Sequence, residues 1–355
     1  MLNYRCSSPA QARELGKGRI RLRECQTCGL IFNGAFDLSL ISYDSAYDNR
    51  QGFSGTFRNH LESVADRIAS DNPGGAKVLE VGCGKGEFLR LLRDRGCAPC
   101  VGYDTSCPDA GAPLDKGIRY HCSYVSAEDI AEPFDYLICR HVVEHVPEIS
   151  AFLKSLADMA VAAGGASIVI ETPEFGWIAE NGCFWDVFYE HCNYFTFESL
   201  QYLCAKVGLE VRTQDRIFGD QYQLIIATPA AAPPALDPVR SGALAEFLVH
   251  SKSVRSNLES AITEASAAGS WAIWGAGAKG VTLASRLGNT SPAFVIDSNP
   301  DKVGCRLPAS AVEVVSPLDP RVASLKLVVI ANPIYENEIL GQLERSGFHG
   351  KTLTV

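Results

Sequence analysis

An apolar stretch that runs straight into a glycine-rich turn constrains the fold of this chain most. Residues 77–86 read KVLEVGCGKG, and residues 87–92 after them have the apolar spacing of a helix. Glycines at alternate positions, Gly82, Gly84 and Gly86, allow positive φ angles and the close approach of a ligand. A strand, a glycine turn and a helix in this order predict the ligand-binding unit of a doubly wound α/β sheet.

Two acidic residues indicate which ligand this turn takes. Glu80 precedes the first glycine, and Asp104 ends a second short strand about 20 residues further on, where dinucleotide and adenosine sites carry an acid. We expect Asp104 to accept hydrogen bonds from two ribose hydroxyls and Glu80 to lie near a cationic or amino group. No Gly-Lys-Ser/Thr follows the turn, so the sequence does not predict a P-loop.

The segments after the turn continue the alternation of strand and helix. Strands are predicted over 134–139 and 164–171, with a helix over 149–162 between them. From Lys77 to about Thr228 the chain resembles the class I S-adenosylmethionine (SAM) methyltransferases. The resemblance implies SAM as cofactor and a cofactor site made by Glu80, Gly82, Gly84, Gly86, Asp104 and His141. The alternative is a Rossmann-like domain without a SAM site.

Length, composition and charge limit the classes of protein that fit. The chain has 355 residues, enough for two cores, and no apolar run approaches a membrane span. The sequence shows no secretory signal, and thirteen scattered cysteines fit reduced thiols, so we expect a cytoplasmic protein. A net charge of −9 disfavours nucleic acid as a partner and favours a small-molecule substrate. No feature of the sequence indicates an oligomeric state.

Cysteines near the start of the chain suggest a metal. Cys25 and Cys28 form a C-x-x-C turn followed by glycine, the shape of a zinc knuckle, and Cys6 is a third candidate ligand. A closed structural site needs a fourth ligand, but Asn3 and Pro9 occupy the positions three residues either side of Cys6. Two alternatives stand: a zinc site with a substitute ligand, or a small metal-free β-rich lid with buried thiols.

An aromatic-rich stretch over 183–196 carries the candidate catalytic residues. Tyr189, Glu190 and His191 are consecutive within it, and Thr196 is placed to cap a helix. A histidine beside an apolar wall has a movable pKa, and a neighbouring carboxylate can hold its tautomer, as a general base requires. A hydrogen-bonded structural histidine is the alternative.

This motif is similar to the signature of the sugar C-methyltransferases, which methylate a carbon beside the keto group of nucleotide-linked deoxysugars. The resemblance implies that His191 removes the α-proton, with Tyr189 and Glu190 beside it, and that His145 matches a family histidine after the fourth strand. Formation of an enolate and its attack on the SAM methyl group would follow. Methylation of oxygen or nitrogen is compatible with the same residues, and a non-catalytic protein that binds SAM and a nucleotide is a hypothesis of another class.

A second glycine-rich turn begins the last part of the chain. A proline-rich linker over 229–238 and an amphipathic helix over 243–268 precede it, and the turn over 271–280 is followed by a strand that ends at Asp297. Taken alone, this is a dinucleotide fingerprint and raises an NAD-dependent alternative. These segments, with residues 297–304 and 332–339, resemble instead the C-terminal domain of the same C-methyltransferases. That resemblance implies a Rossmann-like domain that helps hold a nucleotide-linked substrate, with Lys279 near a phosphate.

The predicted organisation is therefore α/β throughout. We expect a cysteine-bearing lid over 1–60, a SAM-binding domain over 61–228, a linker with a bridging helix over 229–269, and a Rossmann-like domain over 270–355. The loop before residue 60 precedes the SAM strand, and Tyr47 in it is a candidate to line the site.

Overall fold

The computed structural model describes residues 3–41, 54–70, 72, 74–105, 116–232, 234–287 and 290–355. Tyr47 lies outside these residues. The helices are α1 (Pro9–Glu14), α2 (Gly55–Ser70), α3 (Glu87–Asp94), α4 (Ile149–Ala162), α5 (Phe175–Asn181), α6 (Phe197–Lys206), α7 (Ala243–Ala268), α8 (Ala278–Arg286) and α9 (Glu336–Arg345). The strands are β1 (Leu22–Glu24), β2 (Ile31–Asn33), β3 (Val78–Val81), β4 (Cys100–Tyr103), β5 (Ile118–His121), β6 (Tyr136–Arg140), β7 (Ser167–Pro173), β8 (Asn193–Tyr194), β9 (Leu209–Ile217), β10 (Tyr222–Pro229), β11 (Trp271–Trp274), β12 (Phe294–Ile296), β13 (Val314–Val315), β14 (Leu327–Ile330) and β15 (Lys351–Thr354).

A central sheet organises the middle of the chain. In the described residues its strand order is β5-β4-β3-β6-β7-β10-β9, with β3 to β7 parallel and β10 antiparallel to both of its neighbours. The order reverses between β3 and β6, and ligands bind at such a switch point, outside the carboxyl ends of the strands. The predicted doubly wound sheet is confirmed, and the first glycine turn follows β3 at that switch point.

Local sequence explains the elements around the switch point. All four residues of β3 are buried, as the apolar run predicts for a strand covered on both faces. The turn after it has φ of 78° at Gly82, 52° at Gly84 and 72° at Gly86, a conformation that favours glycine. A Cβ at Gly82 would also lie 2.3 Å from the side chain of Val142.

The N-terminal segment contacts both the part of the molecule built on the central sheet and the C-terminal part. β1 pairs with β2, and β2 pairs with β8, which follows the predicted catalytic motif. Cys6 makes a bridge to Arg306 in the C-terminal part. Eleven described cysteines are free thiols, as expected, whereas Cys122 is disulfide-bonded, so the prediction of reduced thiols is wrong for that residue.

The C-terminal part forms a parallel sheet of its own, in the order β13-β12-β11-β14-β15 within the described residues. It follows α7, whose bounds agree with the predicted bridging helix. Phe175 of α5 packs against Phe247 of α7 with ring centroids 5.6 Å apart, within an apolar cluster that also contains residues of β11 and β14. The two parts therefore share a core. Among the described residues, no helix combines the length and apolar character needed to cross a bilayer.

Candidate active site

The first glycine turn carries a carboxylate on each side. The N–H of Gly84 donates to Asp104 Oδ2 at 2.8 Å, so Asp104 holds the turn in shape. Glu80 is buried, and its Oε2 has no hydrogen-bond partner among the described residues. Burial raises the pKa of Glu80 to about 7, against the opposing effect of Arg140. A buried acceptor without a donor, beside open space at Gly84, fits the amino and hydroxyl groups of SAM.

A buried charge network lies next to this turn and was not predicted from sequence. Glu171 is fully buried; Arg140 Nε donates to its Oε2 at 2.6 Å, and His60 Nε2 lies 2.7 Å from its Oε1. Burial disfavours the charged carboxylate, but Arg140 and His141 outweigh this and hold the pKa of Glu171 well below its usual range. Arg140 and Glu171 lie opposite each other in β6 and β7. The sequence signal for this network is a charged residue at the end of each of two predicted apolar strands.

His141 joins this network to the interior of the molecule. Its φ is 53°, unusual for a residue other than glycine, and its N–H donates to the Glu171 carbonyl at 2.8 Å. Its Nε2 lies 3.1 Å from Glu171 Oε1 and its Nδ1 lies 3.4 Å from Glu144 Oε1. Burial acts against the charged ring, but the two carboxylates raise the pKa of His141 to about 9. A cofactor-binding role for His141 stays a prediction.

Two further histidines meet beside His141. The rings of His145 and His191 are perpendicular, with centroids 4.8 Å apart, and Phe188 packs on His191 at 4.0 Å. His145 Nδ1 lies 2.9 Å from the carbonyl oxygen of Glu190. Burial and the neighbouring His145 lower the pKa of His191 well below its usual value, so its ring is neutral at neutral pH. The structure thus brings together three of the predicted catalytic residues.

Glu144 completes this cluster and was also missed. It is buried, Thr172 Oγ1 donates to its Oε2 at 3.0 Å, and its backbone carbonyl accepts the N–H of Cys192. Burial opposes ionisation, but His141 and the other two histidines lower the pKa of Glu144 to about 2. The sequence signal for Glu144 is its position next to His145, shortly after the end of strand β6.

The described contacts of Tyr189 are with the N-terminal segment, and its role as a catalytic residue stays a prediction. Its hydroxyl accepts the N–H of Asp37 at 2.8 Å, and its ring stacks on Phe36 with centroids 5.4 Å apart. Gly18 packs so closely on the ring that a Cβ there would lie 1.9 Å from it. Tyr189 therefore anchors the motif to the N-terminal segment. The backbone carbonyl of Glu190 contacts His145, and a catalytic role for the Glu190 carboxylate stays a prediction.

A cavity of about 310 Å³ lies between the two larger parts of the chain. The part built on the central sheet lines it with His141, Glu144, His145, Trp177, Asp186, Phe188, Glu190, His191, Gln221 and Tyr222; the C-terminal part contributes Trp274, Gly275, Gly277, Lys279, Asp297, Asn299 and Lys302. Lys279 Nζ donates to Asp186 Oδ2 and to Gln221 Oε1, both at 3.0 Å, and so joins the two parts. The volume is in the range of small-molecule sites.

The second glycine turn opens into this cavity from the C-terminal side. A Cβ at Gly280 would lie 1.8 Å from the Gly275 carbonyl oxygen, so only glycine permits this close packing of helix on strand. Asp297 Oδ2 accepts the N–H of Ala276 at 2.6 Å, and its Oδ1 accepts the N–H of Asn299 at 2.7 Å. Asp297 thus holds the second glycine turn in shape, as Asp104 holds the first.

The predicted zinc ligands are not assembled. Cys6 is buried beside Ala12 and Ala311, whereas Cys28 belongs to the core under the central sheet, with Cys25 packed against it. In the described part of the chain, the only group of three potential ligands close enough to share a metal is a different one, made by Glu144, His145 and His191. The prediction that Cys6 shares a metal with Cys25 and Cys28 is therefore wrong.

Comparison with known proteins identifies both larger parts. Residues 55–214 match the family model of a methyltransferase domain, and residues 237–354 match that of a C-methyltransferase C-terminal domain. The NAD-dependent alternative for the second glycine turn is replaced by this match. The C-methyltransferase NovU of Streptomyces niveus is 28% identical over 298 residues, which cover 74% of this chain and 68% of NovU.

Other relatives match a smaller share of the chain. The ubiquinone biosynthesis O-methyltransferase of Bradyrhizobium diazoefficiens is 36% identical over 110 residues, 29% of this chain and 42% of that enzyme. Among solved structures, 1,6-didemethyltoxoflavin-N1-methyltransferase of Burkholderia thailandensis is 16% identical with a TM-score of 0.37, over 50% of this chain and 81% of that one. With two consecutive domain matches over most of its length, the chain belongs to the SAM-dependent methyltransferases, in the family that carries a C-methyltransferase C-terminal domain.

Proposed function

We propose that this enzyme methylates a carbon next to the keto group of a nucleotide-linked deoxysugar, with His191 as the general base. The single observation that carries the proposal is the shared cavity: His191 lines it from one side and the second glycine turn from the other. A substrate with a reactive sugar and a charged nucleotide has two ends of different chemistry, and this cavity offers a different environment to each.

The acid–base chemistry is suited to His191. A carbon next to a carbonyl is not nucleophilic until a base removes its proton, and a neutral imidazole at the cavity wall can accept it. Phe188 shields one side of the ring, and His145, held by the Glu190 carbonyl, lies on another. SAM, when bound, supplies the electrophilic methyl group.

The opposite end of the cavity suits a diphosphate. The turn at Gly275 and Gly277 leads into α8, whose N-terminal N–H groups favour an anion, and Lys279 adds a positive charge. Asp186 and Gln221 hold the Lys279 ammonium at the level of the cavity. The name of NovU as a C-methyltransferase supports transfer to carbon.

Exchange of the substrate α-proton tests this proposal directly. In D₂O with S-adenosylhomocysteine and a panel of thymidine- and guanosine-linked keto-sugars, the wild-type enzyme should incorporate deuterium at the α-carbon, because the base acts before methyl transfer. H191N should abolish exchange while binding S-adenosylhomocysteine normally. Exchange that continues in H191N would remove His191 from the mechanism. H349N, a change at an exposed histidine, is the matched control.

Methylation of a hydroxyl is the second candidate, favoured by the match to a ubiquinone biosynthesis O-methyltransferase over 29% of this chain. A hydroxyl or amine acceptor needs only proximity to the methyl donor and a base at most. The same exchange assay separates the two functions: methyl transfer to a hydroxyl or amine acceptor, without α-proton exchange in any keto-sugar, would establish this alternative.

A further inference from the structure

Glu144, His145 and His191 form a compact set of metal-type donors on the wall of the cavity. One carboxylate oxygen and one nitrogen from each ring all lie within 4.8 Å of one another. Glu144 and His191 are buried, and His145 is half-buried. The set comes from two places in the sequence, the turn after β6 and the loop before β8, so only the fold assembles it.

Contacts behind these side chains orient them as outer-shell partners orient metal ligands. The Thr172 hydroxyl donates to Glu144 Oε2, which leaves Oε1 to face the cluster, with His141 Nδ1 3.4 Å away as the charged group that a metal would have to displace from it. The carbonyl of Glu190 can only accept, so His145 Nδ1 carries the proton and its lone pair is on Nε2. A histidine whose second nitrogen donates to a carbonyl is the usual arrangement at a metal.

We propose that Glu144, His145 and His191 bind a borderline divalent transition metal, such as Zn²⁺ or Co²⁺, with an open coordination position towards the cavity. Two imidazoles and one carboxylate suit this class of ion, whereas Mg²⁺ and Ca²⁺ prefer sets made wholly of oxygen. Metal–ligand bonds of about 2.0–2.2 Å require ligand atoms closer than 4.8 Å, so side-chain rotation must draw the three groups together.

Such an ion would compete with the substrate proton for the ring nitrogen of His191. A nitrogen lone pair on His191 that binds a metal cannot also accept a proton from carbon. This consequence for turnover rests on the proposed function, but binding of the ion does not. We therefore expect Zn²⁺ to inhibit turnover and a chelator to restore it.

Titration of the chelator-treated enzyme with Co²⁺, followed by visible absorption, tests the site without substrate or SAM. The Cys25 and Cys28 thiols are alternative ligands for Co²⁺, so C25S/C28S is titrated beside the wild type. We expect one Co²⁺ per chain with nitrogen and oxygen ligation in both proteins, and any thiolate-bound Co²⁺ in the wild type alone. H145N and E144Q should weaken binding at least about tenfold, and T172V, which removes an outer-shell contact, by about tenfold.

H349N is the matched control and should bind Co²⁺ as the wild type does. Thermal unfolding checks that each variant is folded; if E144Q is not, H145N at a half-buried position decides the result. The proposal is overturned if C25S/C28S binds no Co²⁺, or if H145N and E144Q bind it as tightly as H349N. Because no substrate is present, failure of α-proton exchange by His191 would leave this result unaffected, and the reverse also holds.

Discussion

At the scale of single residues, two buried glutamates show how environment decides protonation. The charge of Arg140 acts on both Glu80 and Glu171, yet the pKa of Glu80 is raised above its ordinary value and that of Glu171 is lowered. Glu171 has nitrogen partners on both carboxylate oxygens, whereas Glu80 Oε2 has no hydrogen-bond partner in the part of the chain described. Burial therefore dominates at Glu80 and paired charges dominate at Glu171.

The raised pKa of Glu80 predicts a pH-dependent stability. Its pKa rises from 4.5 to about 7 on folding, so the folded protein binds more protons across that window. The contribution of Glu80 to the free energy of unfolding then falls as pH rises from 4.5 to 7, against the opposite contribution of His191, whose pKa folding lowers. E80Q should remove this dependence and be more stable than the wild type above pH 7, by roughly 3 kcal/mol without ligand. Urea unfolding across this pH range measures the effect.

E87Q, at an exposed position in the same turn region, is the control and should retain the wild-type slope. E80Q should also bind S-adenosylhomocysteine more weakly, because the amide carries no charge and replaces an acceptor with a donor. An E80Q protein with an unchanged pH slope would contradict the assignment of the raised pKa to Glu80.

At the scale of elements, helix α6 shows how a local signal sets a boundary. Thr196 was predicted to cap this helix, and the prediction is confirmed: its Oγ1 accepts the N–H of Ser199 at 3.2 Å. Ser199 Oγ in turn accepts the N–H of Thr196 at 2.9 Å. Both residues are buried, so water cannot replace these contacts.

T196A should lower the free energy of unfolding by about 1 kcal/mol, because a backbone N–H loses its acceptor. T196S keeps the hydroxyl and should cost much less. Urea denaturation of the two variants beside the wild type measures the difference. Equal losses in both would show that the methyl group of Thr196, not its hydroxyl, stabilises this boundary.

At the scale of the whole molecule, the cavity depends on both larger parts at once. Lys279 of the C-terminal part donates hydrogen bonds to Asp186 and Gln221 of the part built on the central sheet. Gln221 Nε2 also donates to Asn332 Oδ1 at 2.7 Å. Neither domain could form this cavity alone.

Replacement of Lys279 should weaken binding of the substrate without changing binding of the cofactor. K279M should raise KM for a nucleotide-linked substrate at least about tenfold, because a charge-assisted contact is lost. Affinity for S-adenosylhomocysteine, measured by calorimetry, should not change. D186N/K279M controls for the carboxylate left without its partner, and K252M controls for loss of an exposed lysine charge. Equal weakening of both ligands would contradict a role at the substrate end.

Local sequence was sufficient to predict helices α4 and α7 and the first glycine turn. The apolar spacing over 149–162 and 243–268 predicted α4 and α7 with their observed bounds, since helix periodicity is a property of neighbouring residues. The turn after β3 was predictable for the same reason, because glycine spacing and positive φ are local.

Only the tertiary structure decided which side chains meet. His60 reaches Glu171 across 111 positions in the chain, and Tyr189 reaches Asp37 across 152, so no local pattern could report either contact. Cys6 was grouped with the C-x-x-C pair by spacing, but packing takes it to the C-terminal part. Local periodicity specifies which face of an element is buried, whereas the partners on that face are specified by how the elements pack together.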